Sequence, residues 1–137
     1  MKENYAKKGK IDISMLRSLP EKHEYETARY FADRGHDVEF IPPSNSPKVH
    51  TPDFAMDGVA WEVKCPKGKS KRTIENNFRN AAKQSKNIIF DLRRIQLEES
   101  ICISRIEREL KGRPYISRLL VIKKNGSLID FTRKTKK

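Results

Sequence analysis

The sequence is poor in cysteine, histidine and long apolar runs. Cys65 and Cys102 are the two cysteines among 137 residues, too few and too far apart for a disulfide framework or a thiolate zinc site. A reducing, cytosolic working environment is the expectation. His23, His36 and His50 are the three histidines, and no two candidate ligands have the short spacing of a zinc motif. No apolar run approaches the roughly 20 residues of a membrane span, and residues 1–10 lack the apolar stretch of a signal peptide. There is no internal repeat. Hydrophobic residues make up 36% of the chain, enough for one compact core and not for two, so one domain and one site are expected.

Acidic residues are also in short supply: 30 Lys and Arg face 18 Asp and Glu, a net charge of +12. That excess is beyond what solubility requires and points to a polyanionic partner. Nucleic acid is the first candidate, because Lys and Arg on phosphate supply most non-specific affinity. Residues 1–10 and 132–137 are lysine-rich with few core-forming residues and read as basic flexible tails around a domain at 11–131.

Between residues 20 and 35 the spacing of Tyr25, Ala28, Phe31 and Ala32 predicts a helix stopped by Gly35. Residues 36–41 alternate like a strand, and PPSNSPK at 42–48 is a loop by composition. Strands over 51–56 and 59–65 flank Asp57-Gly58, a strong two-residue hairpin signal. A basic loop, PKGKSKR, covers 66–72. Residues 73–86 have helical spacing through Ile74, Phe78, Ala81, Ala82 and Ser85, and 87–92 reads as a buried strand. A further helix is expected over 97–111, closed by Gly112 and Pro114, then a hairpin of 119–123 and 127–131 around Asn125-Gly126. The order α-β-β-β-α-β-α-β-β implies an α/β to α+β fold, a mixed central sheet flanked by helices.

The sequence acid-any-Lys occurs twice, roughly as often as chance predicts. Glu109-Leu-Lys111 closes an amphipathic helix and reads as solvated charge. Glu62-Val-Lys64 lies in a strand, alternating with Trp61, Val63 and Cys65. A two-residue turn at Asp57-Gly58 pairs Met56 with Val59, Phe54 with Trp61 and, one step on, Asp53 with Glu62. Opposed carboxylates repel. A hard divalent cation, Mg²⁺ or Mn²⁺, held by Asp53 and Glu62 would turn that repulsion into a site. Lys64 on the same face would stabilise charge on a phosphate or position water, and the metal would lower the water's pKa. The alternative is a solvated hairpin face on which Lys64 neutralises one carboxylate.

Glu24 falls within the apolar arc of the first helix, whereas Glu26 falls nearly opposite. Asn77 and Gln84, seven residues apart on the second helix, share a line at the edge of its apolar face. Lys67, Lys69, Lys71 and Arg72 follow the candidate site directly and would hold a phosphate backbone. Phe54 and Trp61 are assigned to the core. His50 is a weaker candidate acid or base.

The pattern of Glu24 on a first helix, Pro52-Asp53, Glu62-Val63-Lys64 and then Gln84 resembles the PD-(D/E)XK nuclease superfamily over about residues 20–92. More narrowly, residues 51–92 look like the C-terminal nuclease domains of CdiA-type contact-dependent growth inhibition toxins, which cleave tRNA. The resemblance implies Asp53 and Glu62 as metal ligands, Lys64 as the catalytic lysine, Glu24 as an auxiliary carboxylate and Gln84 as a supporting polar residue. It also implies an acidic immunity protein as inhibitor and action in the cytoplasm of a target cell. Three rival readings remain: a DNA endonuclease on the same fold, a non-catalytic nucleic-acid-binding module, and a metal-independent RNase using His50 and lysines.

Overall fold

The computed structural model describes residues 7–46 and 49–132. Of the tails expected at 1–10 and 132–137, residues 1–6 and 133–137 lie outside the described residues, as do Pro47 and Lys48 of the proline-rich loop. Contacts divide the chain into two compact units, one ending at Trp61 and the next beginning at Glu62, where composition predicts one domain. Each unit combines helix with mixed parallel and antiparallel pairing, so the α+β class expected from the sequence holds.

The first unit contains β1 (Ile11–Asp12), α1 (Lys22–Ala32), β2 (Val38–Phe40), β3 (Phe54–Met56) and the beginning of β4 (Val59–Lys64). β1 runs parallel to β2, β2 antiparallel to β3, and β3 antiparallel to β4. Two residues carry no readable period, so β1 is absent from the expected order. α1 buries Thr27, Ala28, Tyr30, Phe31 and Ala32 and stops where Gly35, at φ 96, lets its own N–H reach Ala32 O and the His36 N–H reach Phe31 O. That is the left-handed closure glycine permits. The chain is built in from Gly9, earlier than the expected start at Ile11. Gly9 N–H donates to Ala32 O at 2.7 Å, and Lys10 O accepts from Val38 N–H at 2.8 Å. A Cβ on Gly9 would lie 2.0 Å from the His36 carbonyl oxygen, so this close approach requires glycine.

The β3–β4 hairpin has the expected register, with Met56 opposite Val59, Ala55 opposite Ala60 and Phe54 opposite Trp61. Asp57 and Gly58 both have positive φ, 54 and 76, as a mirror-image type I turn requires. Phe54 and Trp61 are buried, and Phe54 packs edge-to-face on Phe40 at 5.6 Å.

The second unit runs from residue 62 of β4 through α2 (Arg72–Ala82), β5 (Asn87–Asp91), α3 (Glu99–Lys111), β6 (Arg118–Ile122) and β7 (Leu128–Asp130). β4, β5 and β6 are mutually parallel and β7 is antiparallel to β6. α2 and α3 make the two crossovers that parallel neighbours require. Ile88, Ile89 and Phe90 are all fully buried, the continuous apolar run of a strand covered on both faces. Ile74, Phe78 and Ala81 of α2 and Cys102 and Ile106 of α3 share one cluster with β5 and β6, in which Phe78 stacks on Phe90 at 5.6 Å. Removing a side chain such as Phe78 from that packing costs about 3–5 kcal/mol. The last turn is wider than Asn125-Gly126 alone: Lys123 N–H bonds Ser127 O, and Gly126, φ 88, closes the three-residue loop.

α2 ends four residues before the expected Lys86. Ser85 Oγ accepts the Asn87 N–H at 3.0 Å, a local side-chain bond that competes with helix and turns the chain into β5.

Candidate active site at the carboxyl end of β4

In the second unit the structure brings together three of the residues singled out above. Glu62 is 2% exposed, and its Oε2 lies 3.2 Å from the Lys64 ammonium. Alternation along β4 puts the two side chains on one face. Lys64 Nζ also donates to Gln84 Oε1 at 3.3 Å. A buried carboxylate is costly unless an opposite charge and hydrogen bonds compensate, so the ammonium is the condition for burying Glu62. An ammonium has three donors, and two of Lys64's are directed at Glu62 and Gln84.

Gln84 reaches Lys64 by a different route from the one its spacing predicts. It lies beyond the end of α2, in a turn where its N–H bonds Ala81 O at 2.9 Å. The seven-residue line with Asn77 therefore does not hold. Asn77 stays on the helix, where one of its two Nδ2 donors goes to Thr73 O at 2.7 Å.

Asp53 belongs to the first unit and is half-buried. Its carbonyl accepts from Ile41 N–H at 3.0 Å, while its own N–H donates to Trp61 O at 2.8 Å. In a regular strand both groups of one residue point to the same neighbour. Asp53 splits them between β2 and β4, so the backbone departs from the hairpin register at this residue, as in a β-bulge. Bulges re-aim side chains and recur beside active sites. The hairpin register runs to Phe54 and Trp61, one step short of the expected Asp53–Glu62 pair.

Glu24, half-buried in the first turn of α1, stands with Glu21 and His23 in a group whose ligand atoms all lie within 4.8 Å of one another. His23 Nε2 is 3.2 Å from Glu21 Oε2. His50 is exposed.

Lys67, Lys69, Lys71 and Arg72 are exposed, and Ser70 Oγ accepts the Arg72 N–H at 3.2 Å where α2 begins. The turn after β5 was not read as functional. There, Asp91 is 4% exposed. Its Oδ1 accepts from Arg93 N–H at 3.1 Å and from Nε–H at 2.9 Å, and its Oδ2 from Nη2–H at 2.7 Å. Arg94 Nε–H donates to Cys65 O at 2.7 Å. The visible signal was Asp-Leu-Arg-Arg directly after an apolar strand, a second acid-any-base sequence in the same strand context as Glu62-Val-Lys64.

For a metal, Glu62 and Asp53 offer hard carboxylate oxygens, the donor type that magnesium and manganese prefer; the Glu21, His23, Glu24 group is mixed and includes an imidazole.

Three comparisons bear on this arrangement. The family model described as the contact-dependent growth inhibition CdiA C-terminal domain matches residues 50–128, a span that includes Asp53, Glu62, Lys64 and Gln84. No curated protein matches the chain. Among solved structures, the chain is similar to one from Burkholderia pseudomallei described as a CdiA-CT/CdiI toxin and immunity complex. The likeness has a TM-score of 0.62 at 21% identity and covers 91% of this chain and 100% of that one.

Proposed function

The chain belongs to the contact-dependent growth inhibition CdiA C-terminal domain family, the toxin domains of a bacterial competition system, and from that premise we propose that it is a metal-dependent endonuclease of PD-(D/E)XK type that hydrolyses RNA, with tRNA as the first substrate to test. The observation that carries the proposal is the second unit's chain of contacts: Glu62, 2% exposed, ion-paired at 3.2 Å to Lys64, which is hydrogen-bonded at 3.3 Å to Gln84. An ammonium fixed from two sides is preorganised to stabilise charge on a scissile phosphate, and needs no reorganisation when that charge develops. Glu62 orients Lys64 through their ion pair and, like Asp53, would serve as a metal ligand. Gln84 positions the ammonium. Mg²⁺ or Mn²⁺ bound there would supply Lewis-acid polarisation and a lowered pKa for water. Glu24 is the auxiliary carboxylate. The exposed lysines at 67, 69 and 71, with Arg72 and Asn77, contact the RNA backbone.

The +12 charge suits an acidic inhibitor as well as RNA, and the complexed state of the Burkholderia pseudomallei relative supports an immunity protein as this chain's partner. Delivery into the target-cell cytoplasm follows on the same reading. No helix among the described residues is long and apolar enough to cross a membrane.

The test is incubation of the purified chain with total tRNA and with duplex DNA, each with Mg²⁺ and with EDTA. Cleavage of tRNA with Mg²⁺ alone is the expected result. Preferential cleavage of duplex DNA would select a DNA endonuclease using the same side chains. Full activity in EDTA would remove the metal, and binding without turnover would leave a binding module.

A further inference from the structure

β4 and β5 are parallel neighbours, with Lys64 opposite Phe90, so the segments leaving them emerge at the same edge. Ligands in α/β folds gather at the carboxyl ends of such strands. Two contacts tie the two segments together. Arg94 Nε–H donates to Cys65 O, one residue beyond Lys64, at 2.7 Å, and Gln96 N–H donates to Gly68 O at 2.9 Å. Gly68, at φ 99, makes the turn that presents this carbonyl.

The adjacent arginines have opposite assignments. Arg93 is committed to Asp91 through its backbone N–H, Nε and Nη2. Arg94 is exposed and, among the described residues, is pinned through Nε, so its Nη donors extend from a guanidinium whose position is already set. Pinning lowers the entropy lost on binding, and a guanidinium matches phosphate with two parallel donors where an ammonium cannot.

We propose that the turn carrying Arg94 and the basic loop 66–72 form one clasp for the phosphate backbone of a single RNA strand, with Arg94 as its fixed donor next to Lys64. The inference rests on the nuclease reading for its substrate class and adds a residue to it. Arg94 would hold the strand while Lys64 acts on one phosphodiester, and Lys67, Lys69 and Lys71 would track neighbouring phosphates as mobile charges.

The experiment is binding of a fluorescent single-stranded RNA oligomer to the full chain in EDTA, where cleavage by a metal enzyme is silent, over a series of KCl concentrations. Arg94→Gln and Arg94→Lys are compared with Arg108→Gln, which removes the same charge from the exposed side of α3. Arg94→Gln should weaken binding about ten-fold and make the salt slope shallower by about 0.7, one phosphate contact on a single strand. Arg94→Lys should keep the slope and lose about three-fold, since charge remains and the fork is lost. It also serves if the glutamine variant fails to fold. Arg108→Gln should stay within about two-fold of the unaltered chain.

Arg94 variants that bind RNA like Arg108→Gln overturn the clasp, as does an unaltered chain that does not bind RNA. Polyglutamate, titrated in parallel, probes an acidic protein surface: its loss in Arg94→Gln with RNA binding intact would overturn the clasp. If Arg94→Gln loses RNA while the unaltered chain shows no metal-dependent cleavage, the nuclease reading falls and the clasp stands. If the chain cleaves and the Arg94 variants bind normally, the reverse holds.

Discussion

Glu62-Val63-Lys64 and Asp91-Leu92-Arg93 are the same device, an acid and a base two residues apart at the ends of adjacent parallel strands, used in two ways. In both the acid is buried, 2% and 4% exposed. Asp91 is closed: Arg93 supplies three N–H donors and both carboxylate oxygens accept. A planar guanidinium saturates a carboxylate in this way. Glu62 meets an ammonium through Oε2, and the same ammonium turns to Gln84. A point charge shared between two acceptors leaves capacity for a third group. One pair is a staple for the turn after β5; the other, on the proposed reading, is open to chemistry.

The comparison can be broken most decisively at Lys64. Lys64→Ala should reduce RNA cleavage by about 100-fold or more, the loss typical of removing one transition-state donor, while Arg93→Ala changes the rate per folded molecule by less than about three-fold. Gel-based cleavage rates normalised to folded fraction check both. Stability should fall in both variants, because each leaves a buried carboxylate without its cation. Arg93→Ala leaves Asp91 buried without its fork and should cost about 2 kcal/mol in urea unfolding, the value for charged hydrogen bonds discounted because Arg93 is 34% exposed. Gln84→Ala should sharpen the picture with an intermediate effect, about ten-fold in rate and little in stability, because it acts by positioning Lys64. The smallest effect belongs to the other acid-any-lysine sequence. Glu109 pairs with Arg113 at 2.7 Å along α3, and Lys111→Ala should change stability by less than about 0.5 kcal/mol and leave cleavage unaltered.

A further check uses the thiols. Burial pushes the Cys102 thiol above its ordinary value near 9, so the folded chain holds that proton more tightly than the unfolded one. The resulting stabilisation is present below about pH 9 and is lost as pH rises through the raised value. Alkylation of Cys102 should accordingly be slow in every variant that keeps the second unit folded, and faster labelling in Arg93→Ala would report opening of the turn after β5.

Elements that obey a local rule were legible in the sequence. The Asp57-Gly58 turn set the β3–β4 register as far as Phe54 and Trp61, Gly35 marked the end of α1, and the apolar run 87–92 became the central strand β5. Glu62 and Lys64 were legible because strand alternation is strict. What could not be read depended on single hydrogen bonds to distant or competing groups. The Ser85 hydroxyl that turns the chain into β5 moved Gln84 off its helix. The Asp53 N–H bonds to Trp61 O, which no periodicity encodes. Arg94 lay in an apparently ordinary turn, and its value comes from the Cys65 carbonyl 29 residues earlier.

The most direct test of the account sets Glu62→Gln against Asp91→Asn, two isosteric removals of one buried charge. Cleavage of tRNA with Mg²⁺ would be measured per folded molecule, together with the melting temperature of each variant. The account predicts that Glu62→Gln keeps its melting temperature and loses at least about 100-fold in rate, while Asp91→Asn melts several degrees lower and cleaves normally. Equal rates in the two variants, or a loss in Glu62→Gln that follows unfolding, would contradict it.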